Sequence, residues 1–244
     1  MISVGDVFET NECGSCVVDD YINSSNIKVR FEDGYEAMCQ ASQLRNGQVR
    51  NPYYPIIYGV GFCGKGIYSK TSYPRIYSIW NNMLTRCYSE ISQIKNPTYI
   101  GCTVDESWHN FQNFAHDYLQ MVGSDLDWQL DKDILFKGNK IYSKETCCLV
   151  PKNINTLLTK SDAVRGITLI GVEFDSRYKD SYIAKCSING KWTSLGRFAT
   201  ELLAFEAYKE YKEIEIKRVA NAYKNQLDLR VHKALIAYNV EITD

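Results

Sequence analysis

GVEFDSRYKDSYIAKCSINGKWTSLGRFATELLAFEAYKEY, residues 171–211, carries the clearest pattern in the chain. GVEF, SYIAKCSI and KWTSLGRF alternate in character with period two, as half-buried strands do. Turn signals separate them at Arg177–Asp180 and at Asn189-Gly190. Asn-Gly between alternating runs is a strong hairpin signal, because both residues accept the positive φ of a tight turn. Thr200 then opens a helix, ATELLAFEAYKEYKE. Three antiparallel strands followed by a helix are expected here.

Working upstream, Pro74–Glu90 carries Ile76, Ile79, Trp80, Met83, Leu84 and Cys87 at the spacing of one helical face, with Pro74 suited to the first turn. A second helix is expected near 108–121, with Phe111, Phe114, Ala115 and Tyr118 on one face. Residues 128–150 read as two short strands around the Lys137-Gly138-Asn139-Lys140 turn, and 151–160 as a helix started by Pro151. Residues 1–66 read as a small β unit, with turns at Asn23-Ser24-Ser25 and Asp33-Gly34. GVGFCGKG, residues 59–66, is glycine-rich, but no helix follows as a phosphate loop requires, so it reads as a linker or a close backbone approach. Downstream, Ile216, Val219, Tyr223 and Leu227 form an apolar stripe that must pack on the body of the protein or on a second copy. The expected class is therefore α+β, divided as 1–66, 67–162, 163–212 and a helical extension 213–244.

Composition sets wide bounds. The 244 residues, 45% hydrophobic and 23% charged, suit a folded globular chain. No apolar run approaches the ~20 residues of a membrane span, and MISVGDVFETNE lacks a signal-peptide core. A cytoplasmic location without membrane partners is the default expectation. The nine cysteines are then expected as free thiols. Cys13-Gly-Ser-Cys16 stands alone, whereas structural zinc needs four ligands. Net charge is only −1, yet residues 132–197 hold 12 Lys/Arg against 6 Asp/Glu. A basic block in a neutral chain is the footprint of a local phosphate contact, or of a solvated face.

Two family resemblances sharpen this. Trp80 to Tyr88 (Trp-x-x-Met-Leu-x-Arg-Cys-Tyr), Tyr99 to Gly101, Trp108 to Phe114 and Leu130 to Asp133 (Leu-Asp-x-Asp) resemble the HNH-type endonuclease modules of bacteriophages over about a third of the chain. That resemblance implies a ββα-metal core with flanking helices. It also implies metal-dependent hydrolysis of double-stranded DNA with Mg²⁺ or Mn²⁺, in the cytoplasm of an infected bacterial host. Carried over, the acid falls on Asp131 and the general-base position on Lys132. The orienting position falls on Thr146 and the last ligand on Asn155. A lysine serves as base only where burial strips its proton. His109 and His116, seven apart on the expected helix, share a face, and either is an alternative base. Asp131 and Asp133, two apart on a strand, would face one cation together with Asn155.

Residues 171–211 are similar to the Apetala-type domain of plant ethylene-response factors, which is also found fused to phage homing endonucleases. The similarity rests on Gly171-Val172, Arg177 and Lys179, Tyr182 and Ala184, Gly190-Lys191, Leu195-Gly196-Arg197-Phe198-Ala199-Thr200, and Ala204 to Tyr208. It implies a three-stranded sheet on one helix, with the free sheet face in the major groove. Phe174, Ile183, Leu195 and Phe198 are expected inward. Arg177, Lys179, Tyr182, Lys185, Trp192, Ser194 and Arg197 are expected to contact DNA, the two arginines as base readers. Two outcomes follow: a homing-type or nicking endonuclease, or a DNA-binding regulator or host-interacting protein on a degenerate HNH scaffold. The N-terminal β unit and the C-terminal helix are the surfaces for a homodimer or a host partner.

Overall fold

The Trp80 stripe becomes a helix because five apolar side chains recur where one face meets the core. Our computed structural model describes residues 1–158, 168–178, 181–188 and 191–242. The protein is mixed α and β with several small sheets. It divides into two compact units, one of Met1–Gln120 with Lys140–Glu145, the other of Met121–Asn139 with Thr146–Asp244. The segment 67–162, expected as one module, is thereby shared between them. The expected boundary at 162/163, the Asn189-Gly190 turn, Lys179 and the end of the 151–160 helix fall outside the described residues. Among the described residues, no helix is long and apolar enough to cross a membrane.

The first unit opens with an antiparallel meander of β1 (Val7–Glu9), β2 (Ser15–Asn23), β3 (Asn26–Phe31) and β4 (Glu36–Cys39), in that spatial order. Alternation puts Cys16, Val18, Ile27, Val29 and Phe31 into one core, closed by Leu44 of the short helix α1 (Ala41–Arg45). Helix α2 (Pro74–Tyr88) buries Ile76, Trp80, Met83, Leu84 and Cys87, with Pro74 in its first turn. A short helix α3 (Glu90–Lys95) follows. Residues 108–121 split into a 3-10 turn, Glu106–His109, and helix α4 (Phe111–Gln120). The break follows from Asn110, whose extended backbone and side-chain bond to Gln112 N serve as a cap. Trp80 Nε1 donates to Trp108 O at 2.7 Å, and Trp108 Nε1 donates to Asp117 Oδ2 at 2.9 Å. Both buried indoles are thus satisfied within an aromatic cluster that includes Phe111 and Phe114. The glycine-rich 59–66 stretch is a close approach: a Cβ on Gly61 would stand 2.5 Å from Leu84 Cδ1.

The Lys137–Lys140 turn does not close a hairpin. The strand before it, β6 (Gln129–Asp131), pairs antiparallel with β8 (Cys148–Val150). The strand after it, β7 (Ile141–Tyr142), pairs parallel with β5 (Thr103–Val104). Short strands carry little register information of their own, so distant partners decide.

The second unit holds β6, β8 and helix α5 (Lys152–Leu158), then a three-stranded antiparallel sheet. Its strands are β9 (Val172–Phe174), β10 (Tyr182–Ile188) and β11 (Lys191–Phe198), with β10 central. Helix α6 (Glu201–Ala222) lies against all three. Thr200 caps it by accepting from Leu203 N. The helix runs unbroken past residue 212, the boundary expected from sequence, and helix α7 (Leu229–Ile236) packs on it. Ile216, Val219 and Leu227 are buried, so the C-terminal stripe finds its cover inside the chain. All nine cysteines are free.

Gly171 leads into β9 at φ +73°, and any Cβ there would fall within the ring of buried Tyr208 on α6. Gly171→Ala therefore combines backbone strain with overpacking. It is expected to lower stability by about 2 kcal/mol or more, read as a reduced urea midpoint at unchanged m-value.

Candidate nucleic-acid interface

In an antiparallel sheet, directly paired residues share a face. Tyr182 pairs with both Phe174 and Phe198, and Ala184 with Val172 and Gly196. Ala184 and Cys186 are buried where β10 packs on α6, and the Cys186 thiol, pushed up in pKa by burial, lies within the field of Lys212 and Glu215 of that helix. That face is the helix side. The other face of β10 carries Ile183 and Lys185, then Ser187. Glu173 and Arg197 pair with Ile183, Ser194 with Lys185, and Trp192 with Ser187.

A bulge makes this gathering possible. The register slips between Ala184 and Lys185, leaving Leu195 as the extra residue of β11. Strict alternation would send Arg197 to the side opposite Trp192 and Ser194. The extra residue rephases the strand and returns Arg197 to their face. Gly196, at φ +141°, supplies the backbone freedom.

The expected DNA set is thus largely, but not wholly, brought together. Trp192 is 74% exposed, Ser194 is exposed, and Lys185 is half-buried in an ion pair with Glu173. Tyr182 is a correction: it lies on the helix side, edge-on to Phe174 with ring centroids 5.5 Å apart. Its odd-numbered neighbours Ile183 and Lys185 take the open face, so parity excludes it. Ile183, expected inward, is buried but lies on that open side, between Glu173 and Arg197. Phe174 is half-exposed rather than core.

Asp175 is the residue that sequence reasoning missed. Its carboxylate is almost fully buried and accepts Arg177 Nε at 2.8 Å on Oδ1 and Arg177 Nη2 at 3.0 Å on Oδ2. Arg197 Nη2 also donates to Oδ2, at 2.8 Å. The Arg197 guanidinium stands 4.3 Å from the centroid of the Tyr178 ring. One buried acid thus holds two exposed arginines by charge-assisted bonds, Arg177 as a fork and Arg197 through a single bond. The Arg177 hydrogen bond, foremost, holds the Asp175 carboxyl down to about 2. The Asp-x-Arg spacing at 175–177 was the available signal, since an Asp side chain readily bonds residue i+2.

The residues expected to hold a metal are arranged differently. Strand β6 ends at Asp131, and its Oδ1 accepts Asp133 N at 2.7 Å and Ile134 N at 2.8 Å. Asp133 lies in that turn, not on the strand, so the same-face argument for the two carboxylates lapses. Lys132 is buried, donating Nζ to Asp133 Oδ1 at 2.6 Å and to Asn139 O at 2.8 Å. These bonds make Lys132 a clasp of the turn; a base would need a lone pair to offer. Asn155, on α5, donates Nδ2 to Gln129 Oε1 at 2.5 Å, tying the helix to β6. Thr146 is half-buried just before β8. His116 is exposed on α4 in the other unit, and His109 sits in the preceding 3-10 turn with Nε2 3.3 Å from the Tyr88 hydroxyl. As placed, Asp131, Asp133 and Asn155 do not fit a hard cation: an ammonium already sits on Asp133. Among the described residues, no group of three or more His, Cys, Asp and Glu side chains converges as a metal site. Burial pushes the Asp131 carboxyl above the usual range, more than its two backbone hydrogen bonds lower it.

No known protein family, curated protein or solved structure matches the chain.

The two aspartates should titrate in opposite directions. Asp175, depressed when folded, adds stability above the ordinary carboxyl pKa of ~3.9, and that contribution is lost as pH falls towards 2. Asp175→Asn is expected to lower the thermal midpoint at pH 6, with the gap to wild type closing below pH 4. Asp131, raised when folded, favours the fold at low pH, and its contribution is lost as pH rises through its folded pKa. Asp131→Asn keeps the Oδ1 acceptor and should raise the midpoint at pH 7.5 but not at pH 4. A lowered midpoint at pH 7.5 would contradict this account.

Proposed function

We propose that the protein binds double-stranded DNA through the open face of its three-stranded sheet. The observation that carries this reading is the pair of exposed arginines braced on buried Asp175, beside exposed Trp192 and Ser194. An arginine side chain ordinarily loses rotamer freedom when it docks on a base edge. Here the carboxylate and the Tyr178 ring restrict that freedom beforehand. The guanidinium fork matches the O6 and N7 acceptors of guanine, and the major groove admits a β-ribbon. Lys185 offers a charge for the phosphate backbone. The order of three strands and a helix, with the matched residues between Gly171 and Tyr208, adds the resemblance to Apetala-type domains.

In this reading the 129–158 segment is a scaffold. The hydrogen bonds of Lys132, Asp131 and Asn155 favour a binding protein over a hydrolase, because each side chain serves the turn or the β6–α5 junction.

The test is fluorescence anisotropy on duplexes recovered from a random pool. Arg177→Ala and Arg197→Ala should each weaken the selected site by about 1–3 kcal/mol and relax preference at one base pair. Lys185→Ala should weaken all duplexes alike and reduce the salt slope by about one. Absence of salt-dependent binding, or arginine variants equal to wild type, would overturn the proposal. Running the same duplexes with Mg²⁺, Mn²⁺ and EDTA separates the scaffold reading from a nuclease. Metal-dependent cuts that Asp131→Ala abolishes would refute it.

A further inference from the structure

The N-terminal meander carries a cleft that the DNA reading does not use. It has a volume of about 290 Å³ and is lined by Phe31, Glu32, Asp33, Asn51, Tyr53 and Tyr54, among others. Phe31 is buried, while both tyrosines are partly exposed, 41% for Tyr53 and 38% for Tyr54. The rings belong to a longer row: Phe31 and Tyr35 have centroids 5.9 Å apart, and Tyr35 and Tyr53 5.6 Å. That row already takes one cation, since Lys65 Nζ stands 4.8 Å from the Tyr35 centroid.

The two carboxylates in the lining are held by neutral donors. Asp33 Oδ1 accepts Tyr35 N at 3.0 Å, and Oδ2 accepts Asn51 Nδ2 at 2.7 Å. Asn51 is itself buried, and its Oδ1 accepts Tyr53 N at 2.9 Å. Glu32 Oε1 accepts Ser15 Oγ at 3.0 Å. Among the described residues neither acid forms an ion pair, although Asp19 and Glu36 of the same meander do. Residues 1–65 as a whole hold 5 Lys/Arg against 8 Asp/Glu. Aromatic walls with positioned, uncompensated carboxylates make a receptor for a cation.

We propose that this cleft binds an arginine side chain presented by an exposed segment of a partner protein. The volume lies at the lower edge of the ~300–1,000 Å³ typical of small-molecule sites, and so suits one long side chain. A guanidinium both stacks on tyrosine faces and forks onto carboxylates, which an ammonium cannot do together. The partly exposed tyrosines and the exposed acids leave the cleft open to solvent, so the side chain can enter while its backbone stays outside.

Isothermal titration of the full-length protein with the peptide acetyl-Gly-Ser-Arg-Ser-Gly-amide tests this. Its citrulline and lysine counterparts serve as comparisons, and choline as a quaternary ammonium. Citrulline keeps the shape of arginine without the charge. Arginine peptide is expected to bind best, lysine peptide more weakly, and citrulline peptide not measurably. Glu32→Gln, which retains an acceptor for Ser15, should weaken the arginine peptide about two- to fivefold at an unchanged melting temperature. Tyr54→Leu should weaken it further. Equal binding of the citrulline peptide, no effect of either variant, or choline binding tighter than the arginine peptide would overturn the assignment.

Discussion

A carboxylate withdrawn from water must be met by donors, or it costs several kcal/mol. That constraint organises three separate parts of this molecule. Asp175 meets it with two arginines and stays ionised, with its pKa depressed. Asp131 meets it with two backbone N–H groups and has its pKa raised. Asp117 meets it with Trp108 Nε1 on one oxygen and Lys144 Nζ on the other, anchoring the aromatic core of the first unit. The residue type is the same in all three, and the donors decide the role. Arginine donors reach the surface and give Asp175 an outward consequence; backbone donors close a turn and give Asp131 none.

Local features were legible in the sequence because local physics creates them. The stripe from Ile76 to Cys87 became one buried helical face, and Thr200 became the cap of α6. The turns at Asn23-Ser24-Ser25 and Asp33-Gly34 joined β2, β3 and β4 in sequence order. What failed was non-local or depended on a single inserted residue. The two strands flanking Lys137–Lys140 are two and three residues long, too short to specify a register, and each pairs elsewhere. The Asp131/Asp133 pairing assumed a strand that in fact ends at Asp131. Its end is written in the Asp side chain itself, which can replace a ladder partner with the backbone two residues on.

The sheet face shows how much one residue can hide. Counting by twos from Trp192 gives Ser194 and Gly196 and misses Arg197; counting from Tyr182 gives Ala184 and Cys186, the helix side. The residues expected to contact DNA mix both parities, because simple alternation takes no account of a register shift. The bulge at Leu195 reconciles most of them with one face, and Tyr182 is left out. A bulge is nearly invisible in sequence, since a Leu-Gly pair in a strand also reads as ordinary alternation with a weak spot.

The near-neutral charge of the chain fits the kind of DNA contact proposed. Affinity for any duplex grows with the number of phosphates neutralised, and it is lost as salt rises. On the open face, Glu173 and Asp175 offset two of the three charges of Lys185, Arg177 and Arg197. Such a surface gains little from the phosphate backbone as a whole. Its cations are bound to acids that fix their geometry, and fixed geometry is of use only where a partner presents matched acceptors. The acids that weaken general attraction to DNA are therefore the same groups that favour discrimination between base edges. In the contact proposed, such a face would use its few charges to select a site.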